Sequence, residues 1–142
     1  MEQEQEFSFG IIPLRFFQGS WQVFLVQLKS GNHWGFPKGH SQQGETPKET
    51  AFRELSEETS LFVKRMLSEI SFIENYTLLR RGQQIEKRVK YFPAEVEGIF
   101  SLQGEEILDG RWLDIEEALD KITFPSSKDV CSQLQLFLNT QM

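Results

Sequence analysis

A run of 23 residues, 39–61, constrains this chain more than any other segment. Its centre reads Arg-Glu-Leu-Ser-Glu-Glu over residues 53–58. On an α-helix with about 3.6 residues per turn, Glu54, Glu57 and Glu58 share one face. Three neighbouring carboxylates repel each other unless a positive partner joins them. A hard divalent cation such as Mg²⁺ meets that requirement, because it prefers carboxylate oxygen and also bridges phosphates.

The start and the buried side of this helix are also marked in the sequence. Thr46 can cap the N-terminus, Pro47 suits the first helical position, and Glu49 completes a capping box. We expect one flank to pack on a sheet while the acidic face stays exposed. That flank consists of Ala51, Phe52, Leu55 and Thr59. The helix is therefore predicted to have a buried side and a chemically active side.

Length, charge and cysteine content limit the class of protein. The 142 residues suffice for one hydrophobic core, so we expect residues 1–142 to form a single domain. The net charge of −6 argues against salt-driven binding to a nucleic-acid backbone. Cys131 is the one cysteine, which excludes an internal disulfide and fits a reducing compartment. No stretch approaches the ~20 apolar residues that cross a bilayer, so we expect a cytoplasmic protein with no membrane partner.

The rest of the chain predicts strands mixed with segregated helices. We predict strands over 7–17, 21–28, 67–80, 87–98 and 110–113, with a turn at 81–84 and a short extended piece at 34–36. We predict helices from Asp114 to Lys121 and from Ser126 or Ser127 onward. The last helix has an apolar stripe, which consists of Val130, Leu134, Phe137 and Leu138. This mixture predicts an α/β fold with a mixed sheet between helices.

The spacing of fixed residues in the 39–61 segment resembles the Nudix box. The matching positions are Gly39, Glu45, Arg53, Glu54, Glu57, Glu58 and Leu61. Ser60 stands where the box has glycine. That position favours a left-handed backbone, which serine adopts at a cost of about 1 kcal/mol. We therefore expect a local adjustment at Ser60 without loss of activity.

The resemblance implies a Nudix hydrolase with an α/β/α sandwich around a central mixed sheet. Such a protein hydrolyses a nucleoside diphosphate linked to another moiety. The resemblance implies that the three glutamates of the helix bind Mg²⁺ or Mn²⁺, with the Gly39 carbonyl as a further ligand. It also implies that a salt bridge between Arg53 and Glu45 orients the helix. A metal suits this chemistry because it neutralises the charge of a pyrophosphate linkage.

Segments outside the box resemble one subgroup, the asymmetric diadenosine tetraphosphate hydrolases. The resembling segments are 33–34, 37–40, 75–76, 87–96 and 106–113. The subgroup implies a small-molecule dinucleoside polyphosphate substrate, with diadenosine tetraphosphate cleaved to ATP and AMP. Glu106, six residues before Trp112, would be a further metal ligand or the general base for the attacking water.

The same resemblance implies roles in substrate binding. His33 and Lys38 would contact phosphates near the scissile bond, and Lys87 would add a positive charge against the polyphosphate. Tyr76 would stack on an adenine, and Phe124 could form the other side of the base site. An aromatic–base stack contributes about 1–3 kcal/mol.

Competing interpretations stay open at this point. The acidic row could be a solvated helix face, Tyr76 could pack in the core, and Lys87 could lie in a solvated basic hairpin. Two other functions are an RNA 5′-pyrophosphohydrolase of the same family and a non-catalytic nucleotide-binding module. The lack of a basic RNA track counts against the first, and the intact glutamates count against the second. We expect a monomer, because no long apolar stripe demands a partner.

Overall fold

The computed structural model describes residues 4–102 and 105–140. Within these residues it contains eight strands and three helices. The strands are β1 Glu4–Phe17, β2 Ser20–Leu28, β3 Trp34–Gly35, β4 Lys38–Gly39, β5 Phe62–Met66, β6 Phe72–Arg80, β7 Gln83–Glu97 and β8 Ile107–Asp114. The helices are α1 Pro47–Thr59, α2 Ile115–Lys121 and α3 Pro125–Asn139. None of these helices is long and apolar enough to cross a membrane.

The strands form a mixed sheet around one parallel pair. β1 and β7 run parallel, in register from Glu4 opposite Ile85 to Leu14 opposite Glu95. The other pairings are antiparallel: β2 pairs with β1, β3 and β8, β4 pairs with β1, and both β5 and β6 pair with β7. The mixed sheet that the sequence predicts is therefore confirmed.

Successive side chains along the strands point to opposite faces of the sheet, and both faces are buried. Consecutive residues point into different cores, as Ile11 and Ile12 do in β1. Helix α1 packs into one core through Ala51 and Leu55. Helices α2 and α3 pack into the other core, where Leu134 is fully buried. Helices thus cover both faces of the sheet, which confirms the α/β/α arrangement.

The predicted strand over 67–80 is wrong at its start. Within this range only β6, Phe72–Arg80, is a strand; the separate strand β5, which precedes it, is not among the predicted strands, and both pair with β7. Between them the side chain of Ser68 accepts a hydrogen bond of 2.9 Å from the backbone N–H of Ile70. This local bond competes with the sheet ladder, so the chain bends between β5 and β6.

Other element boundaries also differ from the prediction. The β6–β7 hairpin turns on only Arg81 and Gly82, with φ of 54° and 76°. Positive φ at both positions is typical of a tight type I′ turn, so β7 begins at Gln83. Helix α3 begins at Pro125 because proline suits the first helical position. β8 extends further toward the N-terminus than the predicted strand, from Ile107.

Helix α1 has the predicted caps. The Thr46 hydroxyl accepts from the Glu49 N–H at 3.2 Å, and the Glu49 carboxylate accepts from the Thr46 N–H at 2.9 Å. Ser60 ends the helix in the left-handed region at φ 67°, as its place in the box predicts. Phe52 corrects the prediction of the buried flank, because this side chain is 39% exposed while Ala51 is fully buried.

Ser60→Gly should raise the free energy of unfolding by up to about 1 kcal/mol. Glycine reaches a positive φ without the Cβ clash, although its freer unfolded chain offsets part of the gain. Ser60→Val should lower the free energy by about 1–2 kcal/mol, because a β-branched side chain fits this region poorly. Urea unfolding followed by circular dichroism measures the free energy of unfolding of the wild type and of the two variants. Equal stability of the glycine and valine variants would contradict the left-handed cap.

Candidate active site

Arg53 joins the loop before α1 to the acidic face of the helix. Its guanidinium donates to Glu45 at 2.6 and 3.1 Å, and to Glu54 and Glu57 at 3.0 Å each. It also donates to the backbone carbonyl of His40 at 2.9 Å. These bonds to Arg53 lower the pKa of Glu45 to about 2 and raise the pKa of Arg53. The contact predicted between Arg53 and Glu45 is present, and Arg53 also pairs with Glu57, four residues further along the helix.

Gly39 makes room for the carboxylate of Glu54. A Cβ placed on Gly39 would lie 2.1–2.5 Å from the three carboxylate atoms of Glu54. Such separations are far inside van der Waals contact, so the site needs glycine here for space. Burial raises the pKa of Glu54, and the neighbouring Arg53 partly opposes that rise. The Glu54 carboxylate is thus held tightly between the helix and the β4 backbone.

Glu58 is buried, which corrects the expectation of an exposed acidic face. Glu58 is 9% exposed, and its Oε2 has no hydrogen-bond partner among the described residues. Burial, with the charges of Glu54 and Glu106 adding to it, raises the pKa of Glu58 to about 8. A hydrogen bond from the Lys38 backbone N–H opposes that rise. A buried carboxylate with one oxygen unpaired is a costly arrangement that a cation would relieve.

The residues around Glu58 fit a divalent metal in part. The unpaired Glu58 oxygen, the nearby Glu54 carboxylate and the oxygen-only chemistry of the set suit Mg²⁺ or Mn²⁺. Across 4–102 and 105–140, however, no three histidine, cysteine or acidic side chains form a ready metal-binding group. Glu57 pairs with Arg53 and is largely exposed. The predicted convergence of Glu54, Glu57 and Glu58 is therefore not seen, because Arg53 supplies Glu57 with a positive partner.

Lys38, Tyr76 and Lys87 meet at one end of the sheet. The Lys38 Nζ donates to the Tyr76 hydroxyl at 3.0 Å and lies 5.1 Å from the centre of its ring. Tyr76 and Lys87 are direct cross-strand partners in β6 and β7. Lys87 is only 6% exposed, so its placement in a solvated hairpin is excluded. Burial lowers the pKa of Lys87, which the charge of Glu6 opposes.

His33 and Phe124 form a second aromatic group beside this cluster. Their ring centres are 4.4 Å apart, and Phe124 is 44% exposed. The His33 Nδ1 is buried, with no partner in the described part of the chain. Both residues and Lys38 line a cleft of about 30 Å³, which is too small for a nucleobase. A base could therefore lie only at the mouth of this cleft, on the exposed face of Phe124.

Glu106 lies in the turn before β8, on an exposed stretch. Its backbone carbonyl accepts from the Lys29 N–H at 2.8 Å, which ties the turn to the end of β2. Its carboxylate is near enough to raise the pKa of both Glu54 and Glu58. The structure therefore brings Glu106 to the acidic side of the site.

Glu6 is a residue of the site that the sequence prediction misses. The carboxylate of Glu6 accepts from the guanidinium of Arg80 and from Lys87, the latter at 3.4 Å. The Lys87 Nζ is also 2.8 Å from the His40 Nε2. Glu6 and Lys87 lie opposite each other in the parallel β1–β7 register. That register joins residues 81 positions apart, so only a correct long-range pairing could have revealed the contact.

Comparison with known proteins places the chain in a family. A family model described as the NUDIX domain matches residues 5–134. The chain belongs to the Nudix family. It is 34% identical over 122 residues to the asymmetrical bis(5′-nucleosyl)-tetraphosphatase of Mus musculus, and the match covers 82% of this chain and 80% of the mouse protein. The predicted assignment to the Nudix hydrolases is thereby confirmed.

Solved structures show the same Nudix fold. An Ap4A hydrolase binary complex from Caenorhabditis elegans matches with a TM-score of 0.74 at 20% identity, covering 94% of this chain and 97% of that one. The NUDIX domain of Shewanella oneidensis NrtR, complexed with ADP ribose, matches with a TM-score of 0.75 at 15% identity, covering 96% and 90%. At these identities the likeness establishes the fold alone.

Without added metal, the stability of this Nudix protein should fall as pH rises from about 4.5 to about 8. Glu58 keeps its proton to about pH 8 in the folded chain and loses it near 4.5 when unfolded. The folded state thus binds more protons in this window, and each pH unit costs at most about 1.4 kcal/mol. Glu58→Gln should remove this part of the slope. Glu6 and Glu45, whose pKa values are about 2 in the folded chain, change the pH dependence of stability only below about pH 4.5.

Urea unfolding in a chelator at several pH values measures this slope. Glu69→Gln is the matched control, because the Glu69 side chain is 95% exposed. It should unfold with the same pH dependence as the wild type. A Glu58→Gln variant that kept the full slope would show that Glu58 is not the titrating group.

Proposed function

We propose that this Nudix protein hydrolyses dinucleoside polyphosphates, and that diadenosine tetraphosphate is cleaved to ATP and AMP. The observation that carries the proposal is the meeting of two chemistries at one end of the sheet. The partly buried carboxylate of Glu54 and the buried carboxylate of Glu58 lie beside Lys38 and Gly39, and the Lys38 amino group contacts Tyr76. A polyphosphate with a base at its end needs both a cationic, metal-binding surface and an aromatic surface. The similarity to the mouse tetraphosphatase supports the same substrate class.

Glu54 and Glu58 would hold Mg²⁺ or Mn²⁺, with Glu57, Glu106 and the Gly39 carbonyl as further candidate ligands. When bound, the ion would neutralise phosphate charge and polarise the P–O bonds. Glu57 would have to leave its contact with Arg53 to take part, since the two are 3.0 Å apart in the structure. Glu106 has a second possible role as the base that takes a proton from the attacking water.

The remaining side chains would bind and orient the substrate. Lys38 and Lys87 would contact phosphate oxygens, and His33 lies in the same cleft as Lys38. Tyr76 and the exposed face of Phe124 would receive adenine at the mouth of the cleft. Water would then form a bond to the fourth phosphorus from one adenosine, and the bond to the bridging oxygen would break. ATP leaves with that oxygen, and the other fragment becomes AMP.

Anion-exchange analysis of diadenosine tetraphosphate incubated with the protein and Mg²⁺ tests this proposal. We expect equal amounts of ATP and AMP. Glu58→Gln should lower turnover at least about 100-fold, because it removes a carboxylate that would hold the metal. The same variant controls for a contaminating hydrolase. ADP alone would contradict asymmetric cleavage. Absence of turnover would direct the search to 5′-triphosphate RNA or to a binding-only module.

Tyr76→Ala should raise KM for diadenosine tetraphosphate about 5- to 100-fold and change kcat little. The physical reason is the loss of a base stack worth about 1–3 kcal/mol. Tyr76→Phe is the matched control, because it keeps the ring and removes only the hydroxyl that Lys38 contacts. It should keep a KM close to wild type. An unchanged KM in the alanine variant would assign Tyr76 to packing alone.

A further inference from the structure

Glu6, Lys87 and Tyr76 form a continuous row across three strands. Glu6 in β1 is the register partner of Lys87 in β7, and Lys87 is the register partner of Tyr76 in β6. Direct partners in adjacent strands project their side chains from the same face of a sheet. A carboxylate therefore stands in line with the lysine and the tyrosine that we assign to the substrate.

The Glu6 carboxylate pairs with cationic side chains that could also bind a phosphate. It accepts from Lys87 at 3.4 Å and from Arg80, and the His40 Nε2 lies 3.5 Å away. Lysine is only a donor, so His40 accepts in its 2.8 Å contact with Lys87. The Glu6 side chain is 18% exposed. The contact with Arg80, with Lys87 adding to it, lowers the pKa of Glu6 to about 2, so the carboxylate is charged at neutral pH.

This placement opposes the binding of an anion. A phosphate oxygen at Lys87 would approach the Glu6 carboxylate, and two like charges at such distances repel. A phosphate must either displace Glu6 from Lys87 and Arg80 or bind beside an uncompensated negative charge. A site made only for tight anion binding would not place a carboxylate here. The charge is instead suited to limiting how strongly anions are held.

We propose that Glu6 competes with substrate phosphate for Lys87 and Arg80 and thereby sets the affinity of this site for polyphosphate. The inference rests on the proposed function for the role of Lys87 alone. Arg80 becomes a further phosphate-binding residue, which Glu6 holds at the edge of the site until a phosphate chain replaces the carboxylate. Weaker retention of a polyphosphate product follows from the same competition.

Calorimetric titration of the full chain with inorganic tripolyphosphate, without divalent metal, tests this inference. Glu6→Gln should lower Kd about 3- to 10-fold at low salt, and the gain should shrink as salt is added. The effect should be smaller in an Arg80→Gln background, because one of the two competing cations is gone. The probe carries no base and requires no hydrolysis, so this result is independent of whether diadenosine tetraphosphate is a substrate.

Glu86→Gln is the matched control for the loss of one charge. Glu86 is the chain neighbour of Lys87, and its side chain bonds to Thr77 at 2.7 Å. We expect its Kd to stay within about twofold of wild type, since adjacent strand residues point to opposite faces. Unchanged or weaker binding by Glu6→Gln would overturn the inference, as would no binding by any of these proteins. If Glu6→Gln fails to fold, Arg80→Gln alone should weaken binding, and unaltered binding would likewise overturn it.

Discussion

The site depends on the hydrogen bonds of one guanidinium. Arg53 contacts Glu45 and the His40 carbonyl on the loop side, and Glu54 and Glu57 on the helix side. These contacts fix the loop over 40–45 against α1 and compensate three carboxylates that would otherwise repel one another. Arginine suits this position because its planar donors serve several acceptors at once, which lysine cannot do in the same geometry. Loss of this group would free both the loop and the acidic row.

The sheet supplies the other half of the constraint. Gly39 pairs with Phe9 of β1, so the backbone that touches Glu54 belongs to the central sheet. Helix α1 in turn buries Ala51 and Leu55 in the hydrophobic core on one face of this sheet. The carboxylates of α1 are therefore held between a packed core and a fixed strand. This rigidity is what allows a buried, partly unpaired carboxylate such as Glu58 to persist.

Sequence patterns predict those features of this Nudix protein that local chemistry decides. The capping residues Thr46 and Glu49 define the start of α1, and the left-handed backbone at Ser60 follows from the fixed spacing of the box. Features that depend on distant pairing escape the prediction. The burial of Glu58 needs the β4 backbone beside it, and the contact of Glu6 with Lys87 needs the β1–β7 register. The start of β6 is a local feature that the prediction also misses, since the chain between β5 and β6 forms a side-chain bond at Ser68 in place of a strand.

Lys38 links the two chemical halves of the site. Its backbone N–H bonds to the Glu58 carboxylate, while its amino group bonds to the Tyr76 hydroxyl. The acidic half and the cationic half are therefore positioned by the main chain and the side chain of one residue. Lys38 therefore ties the position of the Glu58 carboxylate to that of the Tyr76 side chain. Under the proposed function, this link would position the phosphates and the base of one substrate relative to each other, and positioning contributes directly to rate.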